Sequence, residues 1–279
     1  MRPVKKDEAI TIIGMAFIRE IAEVAIDKID SLRIRNKIPE KISKYLKSEG
    51  NYEYIVKKIK EVEKRRKEFK NNNIDKKDIY YKAKDIALEY QSIMDSIVTD
   101  LLSNKLKQFF LSNKTLIRRM SACEFTINGK YYYIPDKNEK IDKESRIGDK
   151  LIKDFMLHKL LSNDTDINSA KGIMEGYLKD WMEDLQKNKI KMKEFKDVIV
   201  WLLAIYSHDA LKDKFLDENN NFGVYYMQSL LSSLIIFRMI RNKYEHRGYK
   251  NLPKSGHQEY INLLESRLYD TLNTVERLL

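Results

Sequence analysis

The chain has 279 residues, 34 % of them charged and 43 % hydrophobic, which is enough to bury a substantial core and to form two domains. Its 53 Lys+Arg against 42 Asp+Glu leave a formal charge of +11, an excess that suits an acidic partner. The single cysteine, Cys123, excludes internal disulfides and a cysteine-based metal site, and nine Gly with four Pro among repeated 3.6-period patterns point to a mainly α protein.

The amino terminus, MRPVKKDEAITIIGMAF, places two lysines before a short apolar stretch that breaks at Arg19-Glu20 and has no cleavage signal, so a cytoplasmic protein without a membrane partner is expected. Helical periodicity then covers Asp7 to Leu32, Ile38 to Leu46, Tyr52 to Lys70 and Lys76 to Leu111. Residues 1–121 hold 28 Lys+Arg against 18 Asp+Glu, whereas residues 122–279 hold 25 against 24, so nearly all the excess charge lies in the first half. Within it, Arg65-Arg66-Lys67 and Arg118-Arg119 are candidate phosphate contacts, because clustered cations release counterions from a nucleic-acid backbone. With Glu61, Glu63 and Glu68 interleaved, the Arg65 cluster reads equally well as a solvated helical face.

Phe125 to Ile134 is the one convincing β signal: two aromatic and β-branched runs around Asn128-Gly129, the dipeptide that favours a tight hairpin. Its consecutive tyrosines, Tyr131 to Tyr133, suit base stacking or packing on a helix. A polar stretch from Pro135 to Lys143 follows. Three segments are therefore expected: a basic helical domain over 1–121 that binds RNA or a partner, a hairpin and linker over 122–143, and a second helical domain over 144–279. In the last segment, the apolar run Val198 to Tyr206 is too short to cross a bilayer. His158 in an amphipathic stretch and His208 at a helix junction read as structural or solvent-exposed, and His257 lies in a cap region after Pro253.

The most informative stretch is Arg241-Asn242-Lys243-Tyr244-Glu245-His246, at the end of the long apolar run Val224 to Ile240 and just before the stop signal Gly248. An i, i+5 pair on an ideal helix is separated by about 140°, so Arg241 and His246 converge only if the helix loosens or ends between them. The chemistry of this trio fits RNA cleavage without a metal, since RNA supplies its own nucleophile in the 2′-hydroxyl. Histidine moves protons near neutral pH. Arginine presents a permanent charge and a planar fork to phosphate oxygens. His246 is thus the candidate general acid/base, Arg241 the phosphate and transition-state ligand, and Asn242 a positioning group, with Arg238 and Arg247 as flanking RNA contacts. The competing reading is decoration of a helix end, where cations are favoured by the carbonyl-rich terminus. An Arg-Asn pair followed at this spacing by His is expected roughly 0.04 times in a chain of this composition, so the pattern is moderately specific.

The motif resembles the signature of the HEPN superfamily, small helical domains in which Arg, a polar residue, a few variable positions and His form the active centre of metal-independent ribonucleases. The resemblance covers the motif and, loosely, the helical segment from Ile147 onward. It implies a HEPN-like catalytic domain over 144–279, no cofactor, and products ending in a 2′,3′-cyclic phosphate and a 5′-hydroxyl. HEPN nucleases usually build one site from two domains, so a chain with one motif implies a homodimer. The apolar surface of Leu230 to Ile240 is the expected seam, although a core helix would look the same in sequence. The biological setting implied is prokaryotic conflict: a toxin with its antitoxin, an abortive-infection effector or an accessory nuclease of a CRISPR system. A non-cutting HEPN-like binding module is the alternative. The near-copy Arg35-Asn36-Lys37-Ile38-Pro39-Glu40 lacks the histidine and contains a proline. No HExxH, Walker A loop or GxGxxG occurs, which argues against metal hydrolysis and an intrinsic nucleotide motor.

Overall fold

The apolar positions of Lys76–Ser112 explain the architecture. Ile79, Tyr80, Ala83, Ile86, Ala87, Tyr90, Ile93, Met94, Ile97, Val98, Leu101, Leu102, Leu106, Phe109 and Phe110 are all buried, and their steps of three and four keep them in one broad stripe. The computed structural model describes residues 28, 30–71, 75–119, 124–127, 130–133, 147–186, 192–245 and 252–279. Among these, a helical segment over 30–37 (α1) ends before Pro39, whose φ of −56° opens α2 (Glu40–Ser48). There follow α3 (Tyr52–Asn71), the 37-residue α4 (Lys76–Ser112) and the short α5 (Lys114–Arg119). The second half contains α6 (Ile147–Asp154), a 3-10 turn (Leu157–Lys159), α7 (Asp164–Gln186), α8 (Phe195–Ser207), α9 (Asp209–Glu218), α10 (Val224–Glu245) and α11 (Lys254–Glu276). The protein is mainly α. The four-residue segments β1 (Glu124–Ile127) and β2 (Lys130–Tyr133) pair antiparallel, Phe125 opposite Tyr132, and β1 lies against α8 and α9.

At about 1.5 Å per residue α4 is roughly 55 Å long. It packs on α3, α8, α10 and α11. Asn113 closes its C-terminal end by donating from Nδ2 to the Phe109 carbonyl at 2.9 Å and to Glu218 at 3.1 Å. Because α4 belongs to the basic half and its partners to the other, buried residues of both halves form one continuous core. The change in charge near residue 121 is therefore not a boundary in the core. A fragment beginning at Glu124 would expose the faces of α8, α10 and α11 that α4 covers, and is expected to show no cooperative unfolding transition in urea. A sharp, reversible transition of that fragment by circular dichroism would contradict the shared core.

Two core helices matter for the site. Every residue of α8 is buried except Lys196 and Asp197, and Glu194 and Asp197 cap its start reciprocally. In α10, Leu230 to Ile240 are at most 2 % exposed apart from Arg238. This apolar surface is covered by α4, α7, α8 and α11 of the same chain, so it is not available as a seam between subunits. Its density comes from burial on nearly all sides. No helix among the described residues is long and apolar enough to cross a membrane.

Candidate functional site

The last three turns of α10 carry buried residues at 234–237, 239, 240, 243 and 244, and leave Arg238, Arg241, Asn242 and Glu245 outside that set. At about 100° per residue these four fall within one arc of roughly 100°, so the end of a core helix shows solvent one polar strip. Arg241 is 36 % exposed, and its guanidinium meets the Glu245 carboxylate at 3.0 Å, the i, i+4 pairing that helix geometry favours. Arg238 lies one turn earlier, beside Tyr177 of α7 and near Lys196 of α8. Lys196 in turn pairs with Asp180 at 2.5 Å, which raises its pKa. His246 and Arg247 lie outside the described residues.

Two of the three spacer residues of the motif, Lys243 and Tyr244, turn inward, while Glu245 is exposed. Lys243 is 6 % exposed and forms an ion pair with Asp166, 1 % exposed, in the first turn of α7. Asp166 also accepts from the Tyr260 hydroxyl at 2.6 Å, while its backbone N–H donates to Asn163 Oδ1 at 2.9 Å. A carboxylate is at home there, because the first turn of a helix is its electropositive end. Tyr244 is also buried, with its hydroxyl 2.8 Å from Nδ1 of His257 in α11 and its ring stacked on the imidazole at 5.7 Å. The Tyr244 carbonyl, at a position where a helix end leaves acceptors without an internal donor, receives the Tyr80 hydroxyl of α4 at 2.7 Å. Three helices thus hold the final turn of α10. Sequence reading missed Asp166, Lys243, Tyr244, Tyr260 and Tyr80 as a group. No local signal marked Lys243, which follows the apolar run in a polar stretch, or Asp166, which comes from a distant segment.

His257 is fully buried, and burial holds its pKa below the ordinary histidine value, only partly offset by the Leu252 carbonyl beside it. Burial also keeps the Tyr244 phenol protonated far above neutrality. An unfolded histidine takes up a proton as the pH falls below about 6.5, whereas the folded imidazole resists until lower pH. Stability is therefore lost as the pH drops from about 6.5 toward the folded value. His257→Phe should reduce the fall in urea midpoint between about pH 7.5 and about pH 5.5, compared with the parent. An unchanged pH dependence would place the acid-sensitive groups elsewhere. His208, at the junction of α8 and α9, is shifted in the same direction by burial, against the opposing influence of Asp209. His158 is exposed.

The basic cluster of the first half is engaged within the fold. Arg65 pairs with Glu89 of α4 at 2.6 Å, Arg66 with Glu265 of α11 at 2.8 Å, and Lys67 with Asp30 at 3.3 Å. These links tie α3 to its neighbours, and a phosphate would have to displace a carboxylate at each. Arg118 and Arg119 belong to α5, with side chains outside the described part. In the near-copy of the motif, Arg35 is held by Glu53 and lies 5.3 Å above the Tyr52 ring. Lys37 reaches the buried Glu63 at 3.6 Å and the Tyr269 ring at 4.4 Å. Glu63 also takes Arg33 and, at 2.6 Å, the Tyr269 hydroxyl, so this segment is architectural. Among the described residues no group of His, Cys, Asp and Glu is arranged to hold a metal ion. Compared with protein-family models, curated proteins and solved structures, the chain has no match.

Proposed function

We propose that the chain is a metal-independent endoribonuclease of the HEPN type. The observation that carries this reading is the polar strip at the end of α10: the motif's Arg241 and Asn242 face solvent together with Arg238, while its spacers Lys243 and Tyr244 are buried. In this reading Arg241 binds the scissile phosphate and stabilises the phosphorane, His246 moves protons, and Asn242 orients the phosphate or the imidazole. A base takes the proton of the 2′-hydroxyl, the 2′-oxygen attacks phosphorus, and the departing 5′-oxygen receives a proton. The products are a 2′,3′-cyclic phosphate and a 5′-hydroxyl. Each chain brings one Arg-His set, so a homodimer that joins two sets gives separate groups for the two proton transfers. Resemblance to the superfamily gives the setting: prokaryotic defence, with an antitoxin or a CRISPR effector as the partner protein.

A second reading, a non-cutting RNA- or protein-binding module, is favoured by the Glu245 carboxylate that already occupies Arg241. An exposed i, i+4 pair contributes only about 0.3–0.5 kcal/mol, however, and a phosphodiester, whose single charge is shared by two oxygens, offers the guanidinium fork a bidentate alternative. Incubation with mixed RNA in EDTA separates the readings. Cleavage should survive chelation and vanish on a substrate with 2′-deoxyribose at the scissile nucleotide. Persistent cutting of the deoxy substrate would remove the mechanism, and binding without cutting would favour the module.

A further inference from the structure

The last turn of α10 is held by polar contacts from three helices in addition to its apolar packing. Burying Lys243 and Asp166 removes two charges from water, and such a pair is often no more stabilising than apolar residues of the same volume. Buried ionic groups of this kind are best attested where they fix one register. Here the register in question is that of the helix end bearing Arg241 and Asn242. A rotation of this turn by one residue, about 100°, would bring Lys243 toward solvent and Arg241 toward the core. The Asp166 carboxylate prevents it, because Lys243 can reach its counter-charge in one orientation only. Asp166 is itself fixed from two sides, by the Tyr260 hydroxyl and by the Asn163 cap on its backbone N–H.

We propose that Asp166, joined to Lys243 and Tyr260, is a positioning residue that sets the direction in which Arg241 and Asn242 face. The inference rests on the ribonuclease reading for its catalytic consequence, but its structural content is independent of it. Asp166 touches no substrate. It acts through Lys243, two residues along the helix from Arg241, and the fully formed site requires this turn to be presented in one register. The Tyr244–His257 contact and the Tyr80 hydroxyl secure the same turn from α11 and α4, so loss of Asp166 loosens the end of α10 while the rest of its length stays packed.

The test uses the full chain with Asp166→Asn and, as a milder change, Tyr260→Phe, which removes the 2.6 Å hydrogen bond to Asp166 and leaves both charges of the ion pair in place. Two quantities are read on each folded variant. The first is kcat and KM for RNA cleavage, corrected for the folded fraction by circular dichroism. The second is the Arg241 Nε–H resonance, assigned with Arg241→Lys, which reports on the 3.0 Å contact with Glu245. Asp166→Asn should lower kcat between about 10-fold and 100-fold with KM within about twofold, and Tyr260→Phe should do so less strongly. A merely structural role would reduce the folded fraction and leave kcat per folded molecule unchanged, which would overturn the proposal. If the parent does not cut RNA, the ribonuclease reading fails and the resonance decides. A shifted or broadened Nε–H signal then supports the positioning role, and an unaltered one overturns it. If Asp166→Asn does not fold, Tyr260→Phe decides by the same two readings.

Discussion

Alanine at His246 is expected to lower RNA cleavage by roughly 10²–10⁴-fold, the range associated with loss of a positioned general acid or base. Alanine at Arg241 should cause a loss of about 10²–10³-fold by removing a donor aimed at charge that develops in the transition state. The Arg241 change should leave the fold intact. Its side chain lies at the surface and its described ion pair is with Glu245 alone, an interaction of about 0.3–0.5 kcal/mol, so thermal unfolding should shift by no more than about 2 °C. Rates are measured on RNA in EDTA, with circular dichroism on the same samples. A variant that loses helicity together with activity would return Arg241 to the role of helix-end decoration. Mixing the Arg241→Ala and His246→Ala chains probes the two-chain site further. Heterodimers should regain activity above the average of the two parents if intact residues meet across a subunit boundary. Dilution below the dimer dissociation constant should then lower specific activity, whereas a fully active monomer would confine the chemistry to one chain.

Lys243→Ala is expected to destabilise the protein by about 3–5 kcal/mol, because it strands the Asp166 carboxylate in a site 1 % exposed. At about 2–4 °C per kcal/mol the melting temperature should fall by roughly 10 °C. The contrast with a surface cation is large. Arg65→Ala, which breaks the half-exposed pair with Glu89, should lose less than about 1 kcal/mol. Replacing both partners, as in Lys243→Met with Asp166→Asn, should recover much of the loss, since the desolvation of two charges is removed along with their attraction. Urea midpoints for the single and double variants give the coupling energy directly. If Lys243→Ala unfolds at the parental midpoint, the buried pair adds nothing to the fold, and the register argument loses its energetic basis.

What the sequence determined by itself is local and periodic. The helices over Ile38 to Leu46, Tyr52 to Lys70 and Lys76 to Leu111 appear within two or three residues of their expected bounds, because steps of three and four in apolar residues require only neighbours along the chain. The same holds for the helical span of α10, although its apolar surface, expected as a subunit seam, is covered within the chain. The Arg-Asn-His pattern is likewise a matter of residue types at short spacing along the chain.

Only the tertiary structure decided which charges meet. Arg65, Arg66 and Lys67 pair with Glu89, Glu265 and Asp30 from other segments, contacts that their spacing along the chain does not show. Net charge records the ions present and not their distances, so the basic first half read as a separate domain although α4 shares its core with α8, α10 and α11. The direction faced by Arg241 was likewise hidden, because a continuous apolar run leaves the rotation of its helix end undefined. That rotation is set by a lysine whose counter-charge lies in α7 and by a tyrosine whose partners lie in α4 and α11. Periodicity is a property of neighbours in the chain, whereas a buried ion pair is a property of neighbours in space.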